Sequence, residues 1–268
     1  MTDQRYVLIT GANTGIGYQT VKALLQSDRK YIILLGSRSL PKGEAAIESL
    51  KTEVPDSPST VHPIVIDIVS DESIEAACKE VEKRGERVDV LINNAGAESS
   101  WEFNAGKPTR RELMNKTYDV NVSGAYIVIE IFMPLLLKSS DARLIFISSG
   151  QASLTNFSNE TMRLPPPPQA GWPKEMGFDG TAYRSAKAAL KMVMLNLSRM
   201  LTNDKVKVWY VSPGFLKTGL GNLEPARAEK MGAKDPSIGG VFIKKVAEGV
   251  KDADVGKAVH ADRHIQDW

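Results

Sequence analysis

The chain has 268 residues, 42% of them hydrophobic and 25% charged, with a formal net charge of +2. That balance describes an ordinary soluble globule. The charge is too small to make nucleic acid or an acidic membrane surface the main partner. A single cysteine, Cys78, excludes an intrachain disulfide framework and fits a reducing compartment.

No charged and apolar leader precedes the first strand, so no signal peptide is read and a cytoplasmic location is expected. Apolar, β-branched runs predict strands at Arg5–Ile9, Tyr31–Leu35, Val61–Ile66, Val88–Ile92, Leu144–Ile147, Val206–Val211 and, more weakly, Lys257–His260. Helical periodicity fills the intervals at Ile16–Ser27, Lys42–Glu53, Ser70–Arg84, Arg110–Lys138, Ala182–Thr202 and Ser237–Val250. Alternating strand and helix, with continuously apolar strands, predicts a doubly wound (Rossmann) α/β fold: a parallel sheet of about seven strands with helices on both faces. The longest apolar stretch, Ala125–Leu137, is broken by Glu130 and too short to span a bilayer, so no membrane partner is expected. No composition shift marks a second domain, and residues 1–268 are read as one. The exception is an irregular insertion at residues 151–180, which contains Pro165–Pro168.

The stretch that organises the rest is TGANTGIG, Thr10–Gly17, between the first strand and the first helix. Glycines at Gly11, Gly15 and Gly17 permit positive φ and close approach of a ligand to the backbone. The helix that follows aims free N–H groups and the positive end of its dipole at the same place, which suits a diphosphate. The spacing is G-x-x-x-G-x-G, only an approximation to the common dinucleotide fingerprint, and a plain strand-to-helix turn is the bland alternative. The second strand ends in Gly36-Ser37-Arg38-Ser39, where an acidic residue would accept from an NAD ribose. None is present. Arg38 either binds a 2′-phosphate, favouring NADP, or is a solvated arginine before the helix. Asp67, past the third strand, either meets an adenine amino group or forms a turn or helix cap. Asn93-Asn94-Ala95-Gly96 ends the fourth strand; its small residues let the backbone pass under a nucleotide, its two asparagines can bridge neighbouring strands, and the two readings are compatible.

The chemistry is expected further on. Tyr183 and Lys187, four apart at the start of a long helix, share one face. A free phenol titrates at about 10, too high for acid–base work at neutral pH. A lysine ammonium one turn away, with a cationic nicotinamide nearby, is expected to lower that value. Chance pairs of this spacing are common, so context decides. Ser149 ends the fifth strand, where its hydroxyl faces the same cleft. Asn121 lies inside a predicted helix, where a buried amide without a task is costly. Pro213-Gly214-Phe215-Leu216-Lys217-Thr218 follows the sixth strand and wraps the nicotinamide end.

Together these motifs resemble the short-chain dehydrogenase/reductase superfamily, from about Gln4 onward. The resemblance implies a catalytic tetrad of Asn121, Ser149, Tyr183 and Lys187. Tyr183 exchanges the proton and Ser149 orients the substrate oxygen. Lys187 holds the ribose hydroxyls and tunes Tyr183, while Asn121 positions a relay water. It implies an NADPH footprint over Gly11, Asn13, Thr14, Gly15, Ile16, Gly17, Arg38, Asp67, Ile68, Asn94, Ala95, Gly96, Tyr183, Lys187, Pro213, Gly214 and Thr218, with Thr218 on the carboxamide. No metal site is read.

The long segment between Ser149 and Tyr183, the Gly171–Pro173 triplet and the final Trp268 make the chain look similar to the carbonyl-reductase branch. That branch implies an NADPH-dependent enzyme acting on a small, apolar carbonyl or alcohol substrate, and a monomer whose insertion covers the helices used elsewhere for assembly. Phe157, Trp172 and Phe178 either line an apolar pocket or sit on a solvated loop. The alternatives are a pathway-specific ketoreductase of secondary metabolism and a non-catalytic dinucleotide sensor.

Overall fold

The structure, a computed structural model, describes residues 4–85, 87–104, 108–162, 166–174, 180–262 and 264–268. Seven strands form one parallel sheet: β1 Arg5–Ile9, β2 Tyr31–Ser37, β3 Thr60–Val65, β4 Val90–Asn93, β5 Arg143–Ile147, β6 Lys207–Ser212 and β7 Ala258–His260. Their order is β3-β2-β1-β4-β5-β6-β7, so the winding reverses between β1 and β4. In such a sheet the ligand crevice opens at the carboxyl ends of the strands on either side of that reversal.

Continuous apolar runs form these strands because both faces are covered. Leu8, Leu34, Leu91, Leu144, Phe146, Val208 and Tyr210 point into one core layer. Their neighbours Val7, Ile9, Ile33, Leu35, Ile92, Ile145, Trp209 and Val211 point into the other. The first layer is completed by α3 Asp71–Gly85, α6 Gly124–Leu136 and α8 Thr181–Met200, numbered by their place in the chain. The second is completed by α1 Gly15–Leu25, α2 Leu40–Glu53 and α10 Pro236–Ala247. Short helices α4 Ser100–Asn104, α7 Leu154–Ser158 and α9 Pro225–Lys230 lie in the loops.

The predicted helix Arg110–Lys138 is not uniform. It runs as α5 Arg110–Tyr118, a π-helical turn Asp119–Ser123, and α6. In that turn the Gly124 N–H reaches back five residues to the Asp119 carbonyl. The Asn121 amide donates to the Thr117 carbonyl at 2.9 Å, so a side chain occupies the acceptor that an α-helical backbone N–H four residues on would use. Taken whole, Arg110–Leu136 is long and apolar enough to cross a membrane by length and composition, which the shorter Ala125–Leu137 stretch did not suggest. In the fold, half of its most apolar window is buried, and it packs as a core helix against the sheet.

Candidate active site

The glycine turn is built as a cradle. Gly11 and Gly15 take φ of +62° and +59°, in the left-handed region that favours glycine. A Cβ at Gly17 would stand 2.6 Å from both the Gly11 carbonyl and Asn94 Nδ2. Asn94 Nδ2 donates to the Thr10 and Gly11 carbonyls at 2.9 and 3.0 Å, and Thr10 Oγ1 accepts from the backbone N–H groups of Asn94 and Ala95. Asn94 therefore does bridge strands, tying the end of β4 to the turn after β1, while Asn93 Nδ2 donates to the Ala125 carbonyl of α6 at 3.5 Å. Thr14 precedes α1 without capping it through its side chain, and the first turn carries no acidic residue. The N–H groups beyond Asn13 and Thr14 are left to a ligand. Thr218, in the loop after β6, lies 3.8 Å from the Cβ position of Gly15. Pro213 and Ile16 meet across Gly239 of α10, which locks the β1 and β6 loops side by side. Gly214 next to Pro213 takes φ +96°.

Arg38 stands exposed just past β2 and lines a cavity of about 700 Å³ with Asn13, Thr14, Ser39 and Lys42. Lys42, on the first turn of α2, was missed in the sequence because it falls inside a helical pattern. Among the described residues neither cation is engaged in an ion pair. Asp67 Oδ1 accepts from the Val69 N–H at 3.3 Å, so the aspartate forms a turn here. The helix cap next to it is supplied by Ser70, whose Oγ accepts from the Ser73 N–H. Ile68 is buried, and its carbonyl packs against Gly124 at the start of α6.

Deeper in the crevice, the four residues expected to form the tetrad come from three places: the loop after β5, the π-helical turn and α8. Ser149 follows β5 and accepts from the Gln151 N–H at 3.2 Å. Tyr183, in the first turn of α8, is buried, with the Ser149 hydroxyl acting on its phenol. One turn on, the buried Lys187 donates to the Ile147 carbonyl at 3.0 Å, its Nζ 5.9 Å from the Tyr183 ring centre. Asn121 is fully buried; its Nδ2 also donates to the Ala97 carbonyl at 2.8 Å, and among the described residues its Oδ1 has no partner. From the Cβ position of Gly96, Asn121 Oδ1 lies at 2.8 Å and Lys187 Nζ at 3.3 Å.

The expected lowering of the Tyr183 phenol is not found. Burial pushes it up to about 12, against a downward pull from Ser149, and the buried carboxylate of Glu98 adds to the rise. Burial also lowers Lys187 to about 8. Both shifts have burial as their main cause: the cleft that excludes water disfavours the charged form of the phenol and of the ammonium alike. The proton on Tyr183 is therefore secure at neutral pH.

Three further residues had no local sequence signal. Glu98 is buried beside this cleft. Gln266 is buried near the chain's last strand, accepting from Ser212 Oγ at 2.6 Å and donating to the Gly150 carbonyl at 3.4 Å. It joins the loops after β5 and β6. Tyr210, on β6, donates to the Lys187 carbonyl at 2.7 Å and so braces α8 from below. The insertion departs from the pocket reading. Trp172 is 87% exposed, so it neither lines a pocket nor anchors the segment. Phe157 is half-exposed, with the Arg184 guanidinium over its ring at 5.4 Å. Phe178 and Pro165 lie outside the described residues. Trp268 caps this end, its carbonyl accepting from the Thr155 N–H at 2.8 Å.

A short chain dehydrogenase family model matches residues 5–161. The short-chain dehydrogenase/reductase tropE of Talaromyces stipitatus is 42% identical over 266 residues, covering 99% of this chain and 98% of its own. The short-chain dehydrogenase/reductase eupG of a Phoma species is 45% identical over 253 residues, covering 91% and 90%. Among solved structures, NADPH-bound carbonyl reductase from chicken fatty liver superposes with a TM-score of 0.75 at 22% identity, over 98% of this chain and 99% of its own. A 3-oxoacyl-[acyl-carrier protein] reductase from Brucella melitensis, in complex with NAD, gives 0.74 at 20% identity over 97% and 96%. The chain belongs to the short-chain dehydrogenase/reductase family and is an oxidoreductase on a fold that binds a nicotinamide dinucleotide. The residues present suit that ligand: the glycine cradle has room only for backbone, and the unpartnered Asn121 Oδ1 waits in the crevice beyond it.

Proposed function

We propose that the protein is an NADPH-dependent reductase of a carbonyl group, working reversibly on the corresponding alcohol, with Tyr183 as general acid. The observation that carries this reading is a chain of contacts: Ser149 acts on the Tyr183 phenol, Lys187 Nζ lies 5.9 Å from the Tyr183 ring centre, and Lys187 Nζ and Asn121 Oδ1 both face Gly96. The glycine cradle, Thr218 and the 94–96 loop would hold the dinucleotide, which supplies hydride when bound. Tyr183, protonated throughout the neutral range, gives its proton to the oxygen of the substrate as that oxygen becomes an alkoxide. Ser149 places a second hydroxyl against the same oxygen and stabilises its charge. Lys187, pinned by the Ile147 carbonyl, keeps a cation beneath the tyrosine, and Asn121 Oδ1 offers an acceptor to a water that resupplies the proton.

Arg38 and Lys42 around one cavity support NADPH over NADH, because two unpaired cations suit a 2′-phosphate and offer nothing to a ribose hydroxyl that a carboxylate would not do better. Arg38→Asp is expected to reverse or abolish the preference. An unchanged ratio of efficiencies for the two cofactors would reject the assignment.

A second reading is a ketoreductase dedicated to one substrate in a biosynthetic pathway. It is favoured by likeness to fungal relatives at 42% and 45% identity, against 22% for the chicken carbonyl reductase. NADPH absorbance loss across aldehydes, quinones and bulky ketones tests both. Broad turnover supports the general reductase and turnover of one narrow class the dedicated enzyme. Silence with every substrate class supports the sensor and sinks both.

A further inference from the structure

Glu98 is a buried carboxylate that the chemistry above does not use. It follows directly from the loop that holds Asn121: the Ala97 carbonyl accepts from Asn121 Nδ2, and a Cβ at Gly96 would stand 2.8 Å from Asn121 Oδ1 and 3.3 Å from Lys187 Nζ. Glu98 is only 9% exposed. Its Oε1 accepts from the Ser100 N–H at 2.8 Å, at the start of α4. Its Oε2 stands 2.7 Å from the Cβ position of Gly221, in the loop that continues from Thr218. Among the described residues no cation pairs with it.

Capping a five-residue helix does not account for this placement. An N-cap works equally well at the surface and with a neutral side chain, so it does not by itself call for a carboxylate at this place. The carboxylate is held between the loop after β4 and the loop after β6, and its charge reaches the Tyr183 phenol. Those two loops also carry Asn94–Gly96 and Thr218, the groups proposed above to hold the dinucleotide, so the carboxylate stands at the edge of the proposed site.

Resting on the reductase reading above, we propose that Glu98 is a specificity-determining residue that accepts a hydrogen bond from a hydroxyl on the substrate, so that the preferred substrates are hydroxyl-bearing carbonyl compounds. A neutral donor fits better than a cationic one, because Lys187 already places an ammonium beside Gly96. Glu98 satisfies one oxygen internally and offers the other, which makes the subsite selective against groups of equal size that cannot donate.

The three hydroxybenzyl alcohols and their methoxy counterparts form a set of probes in which the donor is moved around a ring or removed. Their binding to the full chain in the presence of NADPH, a combination that cannot turn over, is measured by calorimetry. At least one hydroxy isomer is expected to bind about tenfold or more tighter than its methoxy partner, the scale of a hydrogen bond to a charged acceptor. In Glu98→Leu that preference is expected to vanish. In Glu98→Gln, which keeps volume and a weaker acceptor and guards against a misfolded leucine variant, it is expected to shrink severalfold. No preference in the wild type, or a preference that persists in the glutamine and leucine variants, overturns the proposal. Tighter binding of 3-(aminomethyl)benzyl alcohol than of any hydroxy isomer overturns the neutral-donor class. Turnover of the matching aldehydes is read separately. If none consumes NADPH, the reductase reading fails, while the calorimetric comparison still decides the role of Glu98.

Discussion

A phenol held near 12 is a proton store rather than a ready base, and this sets what Tyr183 can do. Tyr183→Phe keeps the ring packing and removes the transferable proton. Cofactor binding is expected to survive, and turnover to fall by about a hundredfold or more, the usual scale of general acid catalysis. Fluorescence titration with NADPH and steady-state rates separate the two effects; near-normal turnover would remove Tyr183 from its role. That Asn121, Ser149, Tyr183 and Lys187 lie in one region was legible because each sits in a short motif whose position in the chain fixes its place in the fold. Tyr183 and Lys187 share a helix face by spacing alone, and Ser149 ends a strand. The sign of the shift on Tyr183 was not legible, since burial is a property of the closed cleft and not of any local pattern. Glu98 and Lys42 escaped for a related reason: a glutamate after a strand and a lysine in a helix are ordinary until the fold shows one without solvent and the other beside Arg38.

At the scale of elements, the central strands could be read from apolar runs because both their faces are buried; the edge strands β3, where only Ile64 is buried, and β7 left a weaker pattern. Helix ends were read less well, and the π-helical turn not at all. Nothing in DVNVS differs from α-helical sequence; the turn exists because Asn121 takes the Thr117 carbonyl and reaches across to Ala97. Helix α8 carries its own electrostatic cost. Lys187 and Lys191, one turn apart, are both lowered to about 8, each chiefly by burial, with Lys191 set among Tyr210, Trp268 and the Asp267 carbonyl. An unfolded lysine titrates at about 10.4, so between about pH 8 and pH 10 the unfolded chain binds more protons than the native one. Stability is therefore expected to rise with pH across that window and to be lost as pH falls back through 8. Above about 10 the raised Tyr183 acts oppositely, since its contribution is lost as pH climbs toward 12. Thermal melts from pH 7.5 to 10 read the rise, and Lys191→Met is expected to flatten it; an equal slope in that variant would refute the attribution. Gln266 links elements more directly. Gln266→Leu leaves Ser212 Oγ buried without its acceptor and frees the Gly150 carbonyl, at a cost of about 1–3 kcal/mol. A melting temperature lower by several degrees is expected, with unchanged stability as the refuting result.

Across the whole molecule, the insertion at residues 151–180 is where sequence reading and structure part. The segment was expected to lie over the helix face formed by α5, α6 and α8, pinned by Phe157 and Trp172, and so to keep the chain monomeric. Instead Pro166–Pro168 and Trp172 are exposed, while Tyr118 at 48%, Met192 at 66% and Met200 at 60% remain open on the helices to be covered. The start of the insertion does pack, through Phe157 under Arg184 and Thr155 on the Trp268 carbonyl. Its middle holds itself together locally, Lys174 Nζ donating to the Gln169 carbonyl at 2.7 Å. Sequence could not separate these halves, because proline and tryptophan serve a buried strap and a solvated loop equally well. The shielding argument predicts that shortening the insertion raises the molecular mass; the exposed middle predicts that it does not. Replacing residues 166–173 by a short glycine–serine turn is therefore expected to leave the mass by light scattering unchanged. Trp172→Ser alone is expected to shift the melting temperature by no more than about 1–2 °C, as for a surface substitution. A mass that rises with concentration only in the shortened chain would restore the shielding role. A large loss of stability in Trp172→Ser would show that the indole is anchored after all.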